Sequence, residues 1–169
     1  MSASTSNGVA APDLHILAAV VENKFGVLAR IAGLFSRRGF NIFSLAVAPT
    51  DDPEFSRITI VVDVHNTDVD QIAKQLNKLI NVLEITELQP AASVERELML
   101  ARVSGSDRAG VEGVIAEWGG QVVDQDADEL IVSVHADPAQ LDRCETELRR
   151  FGIHELQRTG RIALGRLGS

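Results

Sequence analysis

The sequence predicts an α+β fold built from two tandem βαββαβ units. Short apolar runs, several with the two-residue alternation typical of strands, are interrupted by segments whose apolar residues recur at helical spacing. The order strand, helix, strand, strand, helix, strand occurs twice within 169 residues. This order is the ferredoxin-like arrangement. The two halves have little residue identity, so the duplication is one of structure rather than of sequence.

The first unit is predicted to span residues 13–89. Its first helix has a clear signature, because Val27, Ile31 and Phe35 recur at four-residue spacing and Gly39 is a typical residue just beyond a helix end. The second helix is expected to run from a cap at Thr67 or Asp68 to Leu79. The predicted elements are strand 14–21, helix 27–38, strand 42–48, strand 57–64, helix 68–79 and strand 83–88.

The second unit is predicted to span residues 96–160. Its elements are expected as strand 96–103, helix 107–118, strand 121–124, strand 130–136, helix 138–150 and strand 153–159. Three segments are expected to lie outside the two units. These are a disordered leader at 1–12, a linker at 90–95 and a loosely ordered basic tail at 161–169.

The charge balance disfavours nucleic-acid binding. The chain has 16 basic and 24 acidic residues, a formal net charge of −8, and such a chain repels a phosphate backbone. A single Cys excludes an intrachain disulfide and any multi-thiolate zinc site. The most apolar stretch, 14–21, is too short to span a bilayer. A cytoplasmic protein without membrane or nucleic-acid partners is therefore expected.

The first strand predicts association. Both alternating sets of residues 14–21 are apolar, although two helices can cover only one face of a four-stranded sheet. Something must therefore cover the second face. The simplest cover is another copy of the chain, and at least a dimer is expected.

The residues that most often carry catalysis are scattered. His15, His65, His135 and His154 have no motif partners, and Cys144 lies on the apolar stripe of a predicted helix. No nucleophile-elbow, phosphate-loop or zinc-protease motif occurs. The acidic loop 51–54 could hold a hard cation, but a solvated turn is the simpler interpretation. We therefore expect no catalytic residue and no metal site.

The junction between the first strand and the first helix is a candidate binding site. Backbone N–H groups at a helix N-terminus suit a carboxylate, and Gly26 allows close approach to the backbone. The Asn23 amide can both donate to a carboxylate and accept from an ammonium. Val27, Leu28 and Ile42 could enclose an aliphatic side chain. The alternative is that Asn23 and Gly26 only shape a tight turn, and the residues alone favour neither interpretation.

Several segments carry a resemblance to a known family. Residues 21–30, Val-Glu-Asn-Lys-Phe-Gly-Val-Leu-Ala-Arg, resemble the opening of ACT domains, the amino-acid-sensing modules of metabolic enzymes. The sequence at 33–42 and at 47–53, Val-Ala-Pro-Thr-Asp-Asp-Pro, is similar to the regulatory (small) subunit of acetolactate synthase. The segments 74–80 and 94–98 share this similarity. The resemblance is strong from residue 14 to 100 and weaker beyond it.

The resemblance implies an N-terminal ACT domain, a second ferredoxin-like domain and a non-catalytic role. It implies a homodimer through the ACT domains that activates the large subunit of acetolactate synthase and confers feedback inhibition by valine or a related branched-chain amino acid. Thiamine diphosphate, Mg²⁺ and FAD are expected in the large subunit and no cofactor in this chain. The effector would lie between two ACT domains. The matching positions are Asn23, Gly26, Val27 and Leu28 of one chain, Asn41 and Ile42 of the facing chain, and Ala48.

Other functional classes remain as alternatives. A free-standing amino-acid sensor acting on another partner would share the same effector loop. An RNA-binding protein on this fold would need aromatic residues on its central strands, and 57–62 has none. A small enzyme would need a nucleophile or an acid–base pair that the sequence does not display.

Overall fold

The computed structural model describes residues 13–64 and 68–168, so the predicted leader at 1–12 and His65 lie outside the described residues. The first unit is a four-stranded antiparallel sheet in the order β2-β3-β1-β4. Its elements are β1 (Leu14–Glu22), α1 (Val27–Arg38), β2 (Asn41–Pro49), β3 (Phe55–Asp63), α2 (Val69–Leu76) and β4 (Val82–Leu88). The predicted order of elements is confirmed.

Glycines in the left-handed conformation flank helix α1 at both ends. Gly26 has φ of +83° and Gly39 has φ of +69°, a backbone geometry that glycine adopts without strain. Asp68 caps α2 by accepting from the N–H of Asp70. This helix ends at Leu76 rather than at the predicted Leu79, because the chain there closes a tight turn, with the Leu79 N–H donating to the Leu76 carbonyl.

The second unit repeats the arrangement of elements. These are β5 (Ser93–Ser104), α3 (Arg108–Glu117), β6 (Gln121–Gln125), β7 (Glu129–Ala136), α4 (Pro138–Leu148) and β8 (Ile153–Arg158). The strand order is β6-β7-β5-β8. Asp137 and Gln140 form a reciprocal capping box at the start of α4. Each unit has its own core between its sheet and its two helices.

A further strand, β9 (Ile162–Gly165), follows the second unit and corrects two boundary predictions. It pairs with residues 93–96 of β5, so part of the predicted linker at 90–95 and part of the predicted tail at 161–169 form one antiparallel ribbon. Ala163 is 4% exposed and packs against Ile16 and Val61. The tail is ordered here because it pairs with β5 and packs on the first sheet.

The ribbon lies on the face of the first sheet that is turned away from the helices. Ile16, Ala18 and Val61 on that face are nearly fully buried within a single chain. The chain itself therefore supplies part of the cover that the sequence led us to expect from a second copy. A dimer stays a prediction.

Arginines form ion pairs within the second unit and within the ribbon. Arg158 on β8 reaches Glu97 and Asp142 at 2.6 Å each, and Glu97 is 7% exposed. Arg161 lies 3.5 Å from Glu95. Within the described part of the chain, no helix is long and apolar enough to cross a membrane.

Candidate functional site

The turn between β1 and α1 presents backbone donors without a side-chain cap. No described side chain bonds to the first turn of α1. The Val27 N–H donates to the Lys24 carbonyl at 3.3 Å, so this amide already has an acceptor inside the turn. Of the three predicted backbone donors, the N–H groups of Gly26 and Leu28 have no such acceptor among the described residues. Together with the positive end of the helix dipole they can bind a carboxylate.

Asn23 connects this turn to the loop between β2 and β3. Its side-chain Nδ2 donates to the Pro53 carbonyl at 2.9 Å, and its backbone N–H donates to the Glu54 carbonyl at 2.7 Å. One hydrogen of the Asn23 side-chain amide therefore shapes the turn, which was one of the two interpretations of this residue. The second amide hydrogen and the Oδ1 acceptor remain for a ligand.

A polar network fixes the end of β1 beside the turn. The carboxylate of Glu22 accepts from Lys24 Nζ at 2.9 Å and from the Asn81 amide. These two hydrogen bonds lower the pKa of Glu22 below its ordinary value. Arg30 Nη1 donates to Asn81 Oδ1 at 2.7 Å, which ties α1 to the same network. The acid next to Asn23 is therefore already neutralised within the chain.

The apolar side chains around the turn divide between core and surface. Val27 is 5% exposed and packs in the core with Ile31, and its contact with an effector stays a prediction. The helical period turns Val27 inward with the rest of the apolar stripe. Leu28 is 43% exposed, and Phe25 is fully exposed. These two side chains give the turn an apolar surface.

Asn41 and Ile42 lie at the opposite end of the sheet. Asn41 pairs with Asp63, and Asp63 pairs with Leu14 at the start of β1, whereas Asn23 follows the last residue of β1. Eight strand steps of about 3.3 Å separate these ends by about 26 Å. Asn41 is exposed, and Ile42 is half-buried against the core. A single chain therefore does not bring the two predicted halves of the pocket together.

Ala48 occupies a third place. It pairs with Arg57 and lines a cavity of about 550 Å³ on the outer face of the first sheet, beside the ribbon. Arg57 and Thr59 also line this cavity, and sequence reasoning missed both. Arg57 lies on the face of β3 opposite the core residues Ile58 and Ile60. A charged residue within this largely apolar strand was the feature of the sequence that could have indicated the cavity.

The candidate catalytic groups have structural contacts. Nδ1 of His15 lies 2.7 Å from Glu87, and Nδ1 of His154 lies 2.5 Å from Glu129. Cys144 is buried, which raises the pKa of its thiol to about 11 and makes it a poor nucleophile.

The acidic loop forms hydrogen bonds within itself. Asp52 Oδ1 accepts from the Glu54 N–H at 2.9 Å, and Thr50 Oγ1 donates to the Asp52 carbonyl at 2.8 Å. These contacts are typical of a side-chain-stabilised turn. Across residues 13–64 and 68–168, no group of three or more His, Cys, Asp or Glu is placed to hold a metal ion.

Known protein families match both units. Residues 17–84 match the AHAS small subunit-like ACT domain, and residues 96–167 match the small subunit of acetolactate synthase. A probable acetolactate synthase small subunit of Methanothermobacter thermautotrophicus is 44% identical over 158 residues, which are 92% of this chain and 94% of the relative. The acetolactate synthase small subunit of Mycobacterium bovis is 43% identical over 157 residues, again 92% and 94% of the two chains.

A solved structure is similar over nearly the same length. The acetolactate synthase small subunit from Thermotoga maritima superimposes with a TM-score of 0.85 and 30% identity, covering 92% of this chain and 99% of that one. The second family match, residues 96–167, includes β9. From the two family matches, the relatives above 40% identity and the shared two-unit architecture, the chain belongs to the acetolactate synthase small subunit family and its first unit is an ACT domain.

Proposed function

We propose that this chain is the regulatory subunit of an acetolactate synthase. It activates the catalytic large subunit and makes that subunit sensitive to inhibition by valine or a related branched-chain amino acid. The observation that carries the proposal is the uncapped turn at the start of α1, where backbone donors, an amide and exposed apolar side chains lie within a few residues. This combination suits a small zwitterion with an aliphatic tail.

The amino acid would bind in a defined orientation. Its carboxylate would accept from the backbone N–H groups of Gly26 and Leu28, and its ammonium would donate to Oδ1 of Asn23. The exposed side chain of Leu28 would contact the aliphatic tail. No carboxylate is needed to neutralise the ammonium, because the zwitterion is neutral as a whole.

A second copy would complete the pocket. Asn41 lies about 26 Å from the turn along the sheet of its own chain, so it reaches an effector only if another copy places its β2 beside the turn. The exposed ring of Phe25, together with Leu28, offers apolar surface for such a contact. An effector bound between two ACT domains would then stabilise one arrangement of the homodimer.

Regulation would follow as a shift between two arrangements of the dimer. The effector changes activity only if it binds the two arrangements with different affinity, and the docked large subunit must respond to the difference. The second unit also matches the small subunit of acetolactate synthase, which supports a large-subunit partner over a free-standing sensor.

Reconstitution tests the proposal. The purified chain is added to a purified acetolactate synthase large subunit, acetolactate formation is followed, and valine, leucine and isoleucine are titrated separately. The proposal predicts higher activity with the chain than without it, and inhibition by at least one of the three amino acids only when the chain is present. Unchanged activity and no added sensitivity would refute it.

A further inference from the structure

The outer face of the ACT sheet carries a cavity of about 550 Å³, well separated from Asn41 and on the other side of the sheet from the helices. Its floor is formed by β2 and β3, and its wall by the ribbon of β5 and β9. The cavity lies within the size range of small-molecule sites. Its lining includes Ala46, Ala48, Arg57, Thr59, Arg96 and Ile162.

Arg57 is the unusual group in this cavity. Its Nε is buried and has no hydrogen-bond partner in the described part of the chain. In the sheet it stands between Val20 of β1 and Ala48 of β2, neither of which has a side chain that can accept a hydrogen bond. Arg57 lines the cavity, and its guanidinium can donate to a ligand that brings an oxygen anion.

The charges near Arg57 also favour an anion. Arg96 lines the same cavity and donates from Nη1 to the carbonyl of Glu95, and no carboxylate of residues 13–64 or 68–168 forms an ion pair with it. The carboxylate of Glu95 lies 3.5 Å from Arg161 instead. Asp51 is the one acidic residue of the lining and is exposed. Two cations against one anion is a local excess of positive charge in a chain of net charge −8.

The rest of the lining is hydrocarbon. Ala46 and Ala48 leave space above the sheet, and Ile162 and Leu164 are 58% and 60% exposed on the ribbon. Thr59 lies between its strand partners Ala46 and Ala18, is 3% exposed, and adds one hydroxyl group to the floor of the cavity. A ligand that satisfies this lining has one anionic group and an apolar body.

We propose that this cavity binds a small aliphatic carboxylate. The carboxylate accepts from the Arg57 guanidinium, and the hydrocarbon body lies between β2 and the β5–β9 ribbon. The site is distinct from the α1 turn and does not depend on the proposed effector pocket. Because its wall comes from the end of the chain, binding there stabilises the ribbon against the ACT sheet.

Titration of the full chain with isovalerate, followed by ¹⁵N NMR, tests the proposal. The amide signals of Thr59, Ala46 and Ile162 are expected to shift with saturable binding. The alcohol of the same carbon skeleton, 3-methylbutan-1-ol, is the matched probe without the anion and is expected to bind at least tenfold more weakly. Valine serves as a third probe. Valine binding that is lost when Arg57 is replaced would show that amino acids belong to the same class of ligand.

Variants separate this site from the other. Arg57→Gln removes the guanidinium, and Ala46→Leu fills the cavity. Each variant is expected to weaken isovalerate binding at least tenfold. Arg143→Gln, an exposed arginine on α4, is the control expected to bind as the wild type does. Asn23→Ala is likewise expected to leave isovalerate binding unchanged, so failure of the effector pocket and failure of this site are distinguishable.

Three results of the ligand titrations would overturn the proposal. These are no saturable shifts with the wild-type chain, equal binding of acid and alcohol, and full affinity in Arg57→Gln. Shifts of the cavity amides with protein concentration alone, without a response to isovalerate, would show that a second copy fills the cavity and would also overturn it.

Discussion

At the scale of single residues, the proposed effector site depends on Asn23. Replacing Asn23 with Ala removes the Oδ1 acceptor and the spare amide hydrogen, while the backbone bond to Glu54 remains. We expect inhibition by the branched-chain amino acid to weaken at least tenfold, the loss expected when a hydrogen bond to a charged group worth about 1.5–3 kcal/mol disappears. Activation of the large subunit should be unchanged.

The control for this prediction is Asn77→Ala. Asn77 is an exposed asparagine just after α2, so its replacement changes composition equally without touching the turn. Inhibition curves measured with both variants decide the matter. Undiminished inhibition in Asn23→Ala would remove Asn23 from the site.

Two glycines of α1 are predicted to respond to alanine in opposite directions. Gly26 has φ of +83°, where an L-residue is strained by about 1–2 kcal/mol, although the added Cβ would meet no atom within 4 Å. Gly33 lies in the helix interior, and its added Cβ meets only the end of the flexible Arg37 side chain. Gly26→Ala should lower the free energy of unfolding, and Gly33→Ala should raise it by about 0.5–1 kcal/mol. Urea denaturation of both variants measures the two signs, and equal signs would contradict the account.

At the scale of elements, the ribbon is held to the ACT sheet by Ala163. An aspartate at this buried position would place a charge against Ile16 and Val61, and we expect Ala163→Asp to cost roughly 2–5 kcal/mol of stability or to release β9. Leu164→Asp, on the exposed side of the same strand, should change stability by no more than about 0.5 kcal/mol. Denaturation midpoints and hydrogen exchange at β9 test this, and an equal tolerance of both aspartates would show that β9 is not docked.

The ion pair between Arg158 and Glu97 links β8 to β5 at the root of the ribbon. Arg158→Met leaves the nearly buried Glu97 without its partner, and we expect a loss of about 3 kcal/mol. The double variant Arg158→Met/Glu97→Met removes both charges and should recover most of that loss. Denaturant titrations of the single and double variants provide the measurement, and a double variant less stable than the single one would be inconsistent with an uncompensated charge as the cause.

At the scale of the whole molecule, sequence patterns predicted the features that depend on residues close together in the chain. The apolar stripe and Gly39 predicted α1 with the bounds that the structure has, and the strand order within each unit followed from the order of elements. The same stripe assigned the Val27 side chain to the core, where the structure has it.

The features that the sequence did not predict depend on contacts between distant segments. The strand β9 has four residues and ends at a glycine, and it becomes a strand because residues 93–96 pair with it. The cavity near Arg57 exists only because the ribbon stands over β2. The separation of Asn23 from Asn41 required the register of three strands, which periodicity alone does not fix.

The most direct test of a pocket shared between two copies is complementation between two defective chains. Asn23→Ala and Asn41→Ala damage opposite halves of each pocket, so each variant alone should bind no branched-chain amino acid in calorimetry. After subunit exchange in an equal mixture, about half of the dimers are mixed, and each mixed dimer has one intact pocket, which restores about a quarter of the sites. Binding at that stoichiometry is the result we predict. A mixture that binds no more amino acid than either variant alone would contradict a pocket built from both copies.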